Sequence, residues 1–165
     1  MSNKYGNSRK QSFVKRVPED TISSSDLGSR CSFNFSFFDG SQEDGSSWED
    51  LNDEKLRSVL TKINSYTRNS LANWKRQEVL VEYEDFPAKK ITKFVHPPHV
   101  PADVSWARFR LEGAFRLVGF LIPTSMHGEP YIAPKGSNEN HFFSRNTFYV
   151  VFLDEKHKFW MSEKK

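Results

Sequence analysis

Hydrophobic and polar residues change rhythm repeatedly along this chain. In CSFNFSFFD, Phe33, Phe35 and Phe37 alternate with Ser32, Asn34 and Ser36. That period of two predicts a strand with one buried face. The Gly- and Ser-rich GSQEDGSS after it reads as a loop. From Asn52 to about Trp74 the spacing becomes helical: Leu56, Val59, Leu60, Ile63, Thr67, Leu71 and Trp74 form one stripe. Ser46, Ser47, Asn52 and Asp53 are candidate N-caps, and Asn69-Ser70 is a point where the run divides into two helices. Val79, Val81 and Tyr83 then alternate with Glu78, Leu80, Glu82 and Glu84, predicting a short strand. Pro87, Pro97, Pro98 and Pro101 forbid a central strand or helix and predict a stiff, extended connector. WARFRLEGAFRLVGF follows as a hairpin, 123–146 as a long loop insertion, and Phe148 to Leu153, apolar on both faces, as a central strand. The order predicts an α+β fold, an antiparallel-rich sheet of about four strands with one or two helices packed on one face.

Composition adjusts this outline at the N-terminus. The chain has 165 residues, enough for one domain with a real core, and its 15 Phe point to aromatic packing. Mean hydropathy is only −0.69. Residues 1–31, poor in apolar side chains, account for part of that and read as a flexible tail ahead of a single domain over 32–165. The tail's Lys4, Arg9, Lys10, Lys15 and Arg16 are positioned to graze a polyanion. Net charge is +3, so a nucleic-acid partner requires a local basic patch. Cys31 is the one cysteine, which excludes an internal disulfide and a thiolate zinc site and points to a reducing compartment. No apolar run reaches membrane-spanning length and no secretory leader is present, so the expected location is the cytoplasm.

The hairpin holds Arg108, Arg110 and Arg116, and register decides where they point. A two-residue loop at Glu112-Gly113 mixes polar and apolar side chains on both faces. A three-residue loop, Glu112-Gly113-Ala114, sorts them. Ala107, Phe109, Leu111, Phe115 and Leu117 then share one face; Trp106, Arg108, Arg110, Arg116, Val118 and Phe120 share the other. The second register is the expected one. It sets Arg110 across from Arg116, a repulsive pair unless carboxylates or a bound anion neutralise it. Two readings follow. Glu82, Glu84, Asp85 or Asp103 form ion pairs on a solvated face, or the guanidiniums fork onto phosphate with Trp106 and Phe120 offering stacking surface.

WARFRL, FRLVGF and FYVVFLDEKHKFW, with the helix LTKINSYTRNS, resemble the matching segments of RelE/YoeB-type toxins, small ribonucleases of bacterial toxin–antitoxin pairs. The likeness covers roughly 33–74 and 104–160. It differs in the length of the chain, in Gly119 where the family has an aromatic, and in His157-Lys158-Phe159 where the family carries its terminal catalytic residues. The last strand also resembles that of small phage and bacterial proteins ending in FYVVWLD-x-x-HK, which implies no function. The toxin resemblance implies an RNA- or ribosome-binding protein that cleaves phosphodiesters without a metal. Arg116 would contact the phosphate, with Arg108 close by and Arg110 added by the register argument. His157 and Glu82 or Glu84 would move protons. Lys89, Lys90 and Lys93 would form a basic loop on the RNA, and Trp106, flanking the arginines, would stack on a base. The alternative is an inert interaction module of the same fold, docking an antitoxin-like or phage protein. No cofactor or metal is expected. There is no phosphate-binding glycine loop or nucleophile elbow, His96 and His99 of HPPH lack a third ligand, and His127 and His141 fall in the long loop.

Overall fold

A computed structural model describes residues 20–131 and 141–161. The basic residues singled out in the tail, and the middle of the 123–146 insertion, lie outside the described residues. In chain order the elements are β1 (Ser32–Asn34), α1 (Asp53–Tyr66), α2 (Leu71–Arg76), β2 (Leu80–Glu84), β3 (Ser105–Arg110), β4 (Arg116–Leu121), β5 (Pro130–Tyr131), β6 (His141–Phe142) and β7 (Thr147–Asp154). The class is α+β. One mixed sheet runs β1-β7-β4-β3-β2, and β5 and β6 form a separate ribbon. It has five strands rather than about four, because the alternating segment after α2 does join it as β2. β1 lies parallel to β7, while the other neighbours are antiparallel. No helix among the described residues is long and apolar enough to cross a membrane.

Local chemistry sets the helix ends. Asn52 caps α1 by accepting from the Lys55 N–H, and Ser70 caps α2 by accepting from Asn73. The buried stripe departs from the expected one at its C-terminal end. Leu60 is 55% exposed, and Tyr66 takes the inner place. Its ring stacks on Phe109 at 4.8 Å, its hydroxyl donates to the Arg110 carbonyl, and its own carbonyl accepts from Trp74 Nε1 at 2.7 Å. A tyrosine can bury its ring here because each polar end finds a partner.

The first strand is shorter than its alternation predicts. Asn34 Oδ1 accepts from both the N–H and the hydroxyl of Ser36, and this side-chain turn ends β1. Phe33 therefore packs with Phe109 and Phe148, while Phe37 reaches the opposite face of the sheet against Phe120 and Tyr149. The three phenylalanines do not share a face.

Both faces of the sheet are covered. Ala107, Phe109, Leu117, Phe148, Val150 and Leu153 pack beneath the helices. Trp106, Val118, Phe120 and Phe152 pack under Phe94, Val100 and Val104 from the proline-rich connector and Phe159 from the C-terminal segment. That connector is a second layer of the domain. It is stitched to the C-terminal segment by the N–H of Lys93 donating to Lys158 and the N–H of Met161 donating to Ile91.

The expected hairpin register is present: Arg110 pairs with Arg116, Phe109 with Leu117 and Trp106 with Phe120. Leu111 donates to the Phe115 carbonyl and Phe115 to that of Glu112, so Gly113 turns the chain at φ +52°. On the far side of β4, Val151 is an extra residue in β7, between the pairs Val118–Phe152 and Gly119–Val150. A side chain at Gly119 would place its Cβ 2.0 Å from the Tyr149 carbonyl oxygen. Gly119→Ala is therefore expected to cost about 3 kcal/mol or more in urea denaturation, with the backbone forced apart at the centre of the sheet.

Candidate anion site on the arginine face

The hairpin tip is fixed from the helix side. The Tyr66 hydroxyl holds the Arg110 carbonyl, and Ser58 donates to Glu112 at 3.0 Å. These contacts settle the position at which Arg108, Arg110 and Arg116 leave the sheet on the face away from the helices. Arg116 pairs with Arg110 on one side and with Asp154 of β7 on the other. At strand spacing, about 5 Å, these side chains start as immediate neighbours.

Exposure falls in steps across the cluster. Arg110 is exposed, Arg108 and His157 are half-buried, and Arg116 is only 8% exposed. Arg116 Nη1 donates to the carbonyls of Gly113 (2.6 Å) and Phe115 (2.8 Å). Arg108 Nε donates to the Tyr83 hydroxyl, and its guanidinium lies 5.9 Å from the centre of that ring. The Tyr83 ring also stacks on Trp160 at 4.1 Å and 3°. Asp154, fully buried, accepts from the N–H groups of Lys158 (2.9 Å) and Phe159 (2.8 Å) and more weakly from Lys156. The chain after β7 thereby curls back over the sheet. His157 sits at the bend with φ +56°.

Three nitrogens of this cluster are buried without a hydrogen-bond partner among the described residues: Arg108 Nη1, Arg116 Nε and His157 Nε2. Buried polar atoms are nearly always satisfied, so three in one cluster call for an explanation. The electrostatics agree that the groups crowd together. Burial, then repulsion from Arg108 and Arg116, holds His157 below the ordinary histidine value, against an opposing pull from Asp154. Burial and then Arg108 and Arg110 lower Arg116 below the usual arginine value. Burial raises the Tyr83 phenol, which therefore keeps its proton. The arrangement is an electropositive cluster with more N–H donors than acceptors, the kind of group whose charge an anion neutralises.

The structure brings Arg108, Arg110, Arg116 and His157 together. The other candidates fall elsewhere. Glu82 pairs in register with Ala107 on the helix face and forms an ion pair with Lys75 of α2. Glu84 is exposed at a β2 bulge, at φ +67°, opposite Trp106 and away from the arginine end. Trp106 is 1% exposed, enclosed by Phe86, His96, Phe152 and Phe159, so it offers no stacking surface to a base. Phe120 is buried as well. Lys89, Lys90 and Lys93 lie exposed in the connector, whose backbone runs beside the segment that carries His157. His96 Nδ1 contacts its neighbour's carbonyl at Pro97, and His99 Nε2 contacts the Phe37 carbonyl. No group of three metal-ligating side chains occurs among the described residues. Tyr83, Asp154 and Trp160 belong to the site although their spacing in the chain carries no motif.

No protein-family model matches the chain, and searches of curated proteins and of solved structures returned no match.

The depressed His157 value has a consequence for stability. An unfolded histidine takes up its proton near pH 6.5 and the folded one only at lower pH, so the unfolded chain binds more protons in that window. Stability should therefore fall as pH drops from about 7 toward 5. His157→Asn, which tolerates the left-handed backbone, should flatten that slope in thermal melts taken across the range.

Proposed function

We propose that this protein binds RNA by gripping a phosphate at Arg108, Arg116 and His157, with Arg110 at the rim. The observation that carries the reading is the set of three buried, unpartnered nitrogens on β3, β4 and the turn after β7. A phosphate supplies acceptor oxygens to all three and neutralises the repulsion between the guanidiniums. Exposed Lys89, Lys90 and Lys93, beside the C-terminal segment, extend the basic surface along which a backbone could run. The reading agrees with the RelE/YoeB-type resemblance in its phosphate-binding arginines.

Cleavage asks for more than binding does. His157, largely neutral at pH 7, has the right state to accept a proton from a 2′-hydroxyl. A leaving oxygen needs a second group. Glu82 is committed to Lys75 on the other face, which leaves the Tyr83 hydroxyl as the proton donor beside the arginines. The proposal therefore rests on binding, with cleavage as the further activity that RNA-end mapping would reveal. The alternative, an inert interaction module, has one observation in its favour. An apolar groove of about 540 Å³ lies between the β5–β6 ribbon and the sheet, lined by Phe37, Phe120, Met126, Phe142 and Tyr149. That groove leaves the unpartnered nitrogens unexplained.

Titrating fluorescent single-stranded RNA at several salt concentrations tests the reading. Arg108→Gln and Arg110→Gln should each weaken binding several-fold and lower the salt slope by about one. Unchanged affinity and slope in both variants would remove the arginine face from RNA binding.

A further inference from the structure

The apolar groove between the β5–β6 ribbon and the sheet has a lining that selects among occupants. It lies at the far end of β4 from Arg116, apart from the arginine cluster. Its floor is the packed sheet. Phe120 is 2% exposed, and its ring stacks on Tyr149 at 4.8 Å and 5°. Phe37 stands across that pair, at 80° to Phe120 and 84° to Tyr149. The ribbon forms the other wall. Phe143 donates to the Glu129 carbonyl and accepts from the Gly128 N–H. Those bonds fix the strand that carries Phe142, a lining ring left 66% exposed. Rings in two perpendicular planes therefore border one space, and the faces of aromatic rings attract positive charge.

Charge separates a cation from other apolar ligands. Asp103 is the one carboxylate in the lining, and no lysine or arginine is among the lining residues. Asp103 is exposed and makes no hydrogen bond or ion pair among the described residues. The whole chain carries +3, so the sign here runs against the protein's balance. Burial raises the Tyr149 phenol, which therefore stays neutral. An anion would meet ring faces and a carboxylate. A neutral hydrocarbon would fill the space and leave Asp103 without a role. A concave space of about 540 Å³ encloses a small molecule, whereas a protein interface covers a broad surface.

We propose that this groove binds a small organic cation, an alkylated ammonium on an apolar body. The ammonium lies against Phe37 and Tyr149, and Asp103 balances its charge. The body fills the space between Phe142 and Met126. This site goes beyond the RNA-binding reading and does not depend on it.

The test uses three probes that share a para-hydroxymethylphenyl body. They carry trimethylammonium, its uncharged isostere tert-butyl, or sulfonate. Binding to the full chain is followed by NMR of methyl-labelled methionine. Met126 reports on the groove, and Met161, outside it, is the control. The ammonium probe should move the Met126 methyl and bind about fivefold to tenfold tighter than the tert-butyl probe. Asp103→Asn and Phe142→Leu both change exposed side chains, so folding is not at stake. Asp103→Asn should reduce the preference to less than about twofold, and Phe142→Leu should weaken the ammonium probe more than the tert-butyl probe. Equal affinity for these two probes overturns the proposal and leaves a general apolar site. Tightest binding by the sulfonate overturns it as well. So does an ammonium probe that fails to bind at millimolar concentration, or that binds without moving Met126. A Met126 signal that shifts with protein concentration before any probe is added would seat a second copy in the groove, and that too overturns the proposal.

Discussion

The Asp154 carboxylate organises everything on the arginine face. It stands at the last position of β7, fully buried, beside Arg116. A buried carboxylate is costly unless hydrogen-bonded, and here the N–H groups of Lys158 and Phe159 turn inward to meet it. That requirement folds the C-terminal segment back over the sheet. One outcome is structural. Phe159 enters the aromatic layer against Phe94, Trp106 and Phe152 and closes the second core. The other is chemical: His157, two residues earlier, is set above the guanidiniums. Lys158 then ties to Asp44, and Lys93 ties to the Lys158 backbone, so the connector is held down by the same turn. Core closure and assembly of the site are one event here.

The hairpin was legible because its side chains sort cleanly only in one register. Only the three-residue loop gathers all three arginines on one face and leaves the other wholly apolar, so the pattern by itself selected Arg110 opposite Arg116. The helix pair was legible from its stripe and from the breaks at Asn52 and Ser70. What escaped was the second layer. A covering formed by the connector has no period, because prolines and short turns place Phe94, Val100 and Val104 one at a time. Without that layer, the face bearing Trp106 looked open, and Trp106 looked like a stacking platform. Burial by a non-periodic segment reversed that reading. Tyr66 escaped for a related reason. Its hydroxyl marks it as a surface residue until the Arg110 carbonyl appears as its partner.

The acids show the limit of alternation as a guide. Glu82 and Glu84 have the same parity in sequence and would share a face in a regular strand. The extra residue at Tyr83 breaks that relation and turns Glu84 opposite Trp106. Glu82 remains on the helix side with Lys75. Tyr83 has the parity of Val81, which pairs with Arg108, so alternation itself carries the phenol to the arginine face. The arginine cluster therefore has a phenol beside it and no glutamate from β2. An acid there would have neutralised the guanidiniums permanently, whereas a protonated phenol leaves their charge available.

The fold leaves the charge of the arginine cluster only partly compensated. Like-charged side chains directly opposite one another destabilise a sheet, and an arginine brought to 8% exposure loses hydration. Leucine or methionine at these positions would have continued the apolar layer that begins one step away at Val118 and Phe152. The chain instead keeps three arginines and satisfies them only in part, through the Gly113 and Phe115 carbonyls and the Tyr83 hydroxyl. Sequences depart from local consistency most often where function requires it. A cluster whose donors exceed its acceptors, placed at the end of a packed sheet, is held in shape by the aromatic layer and the Asp154 turn.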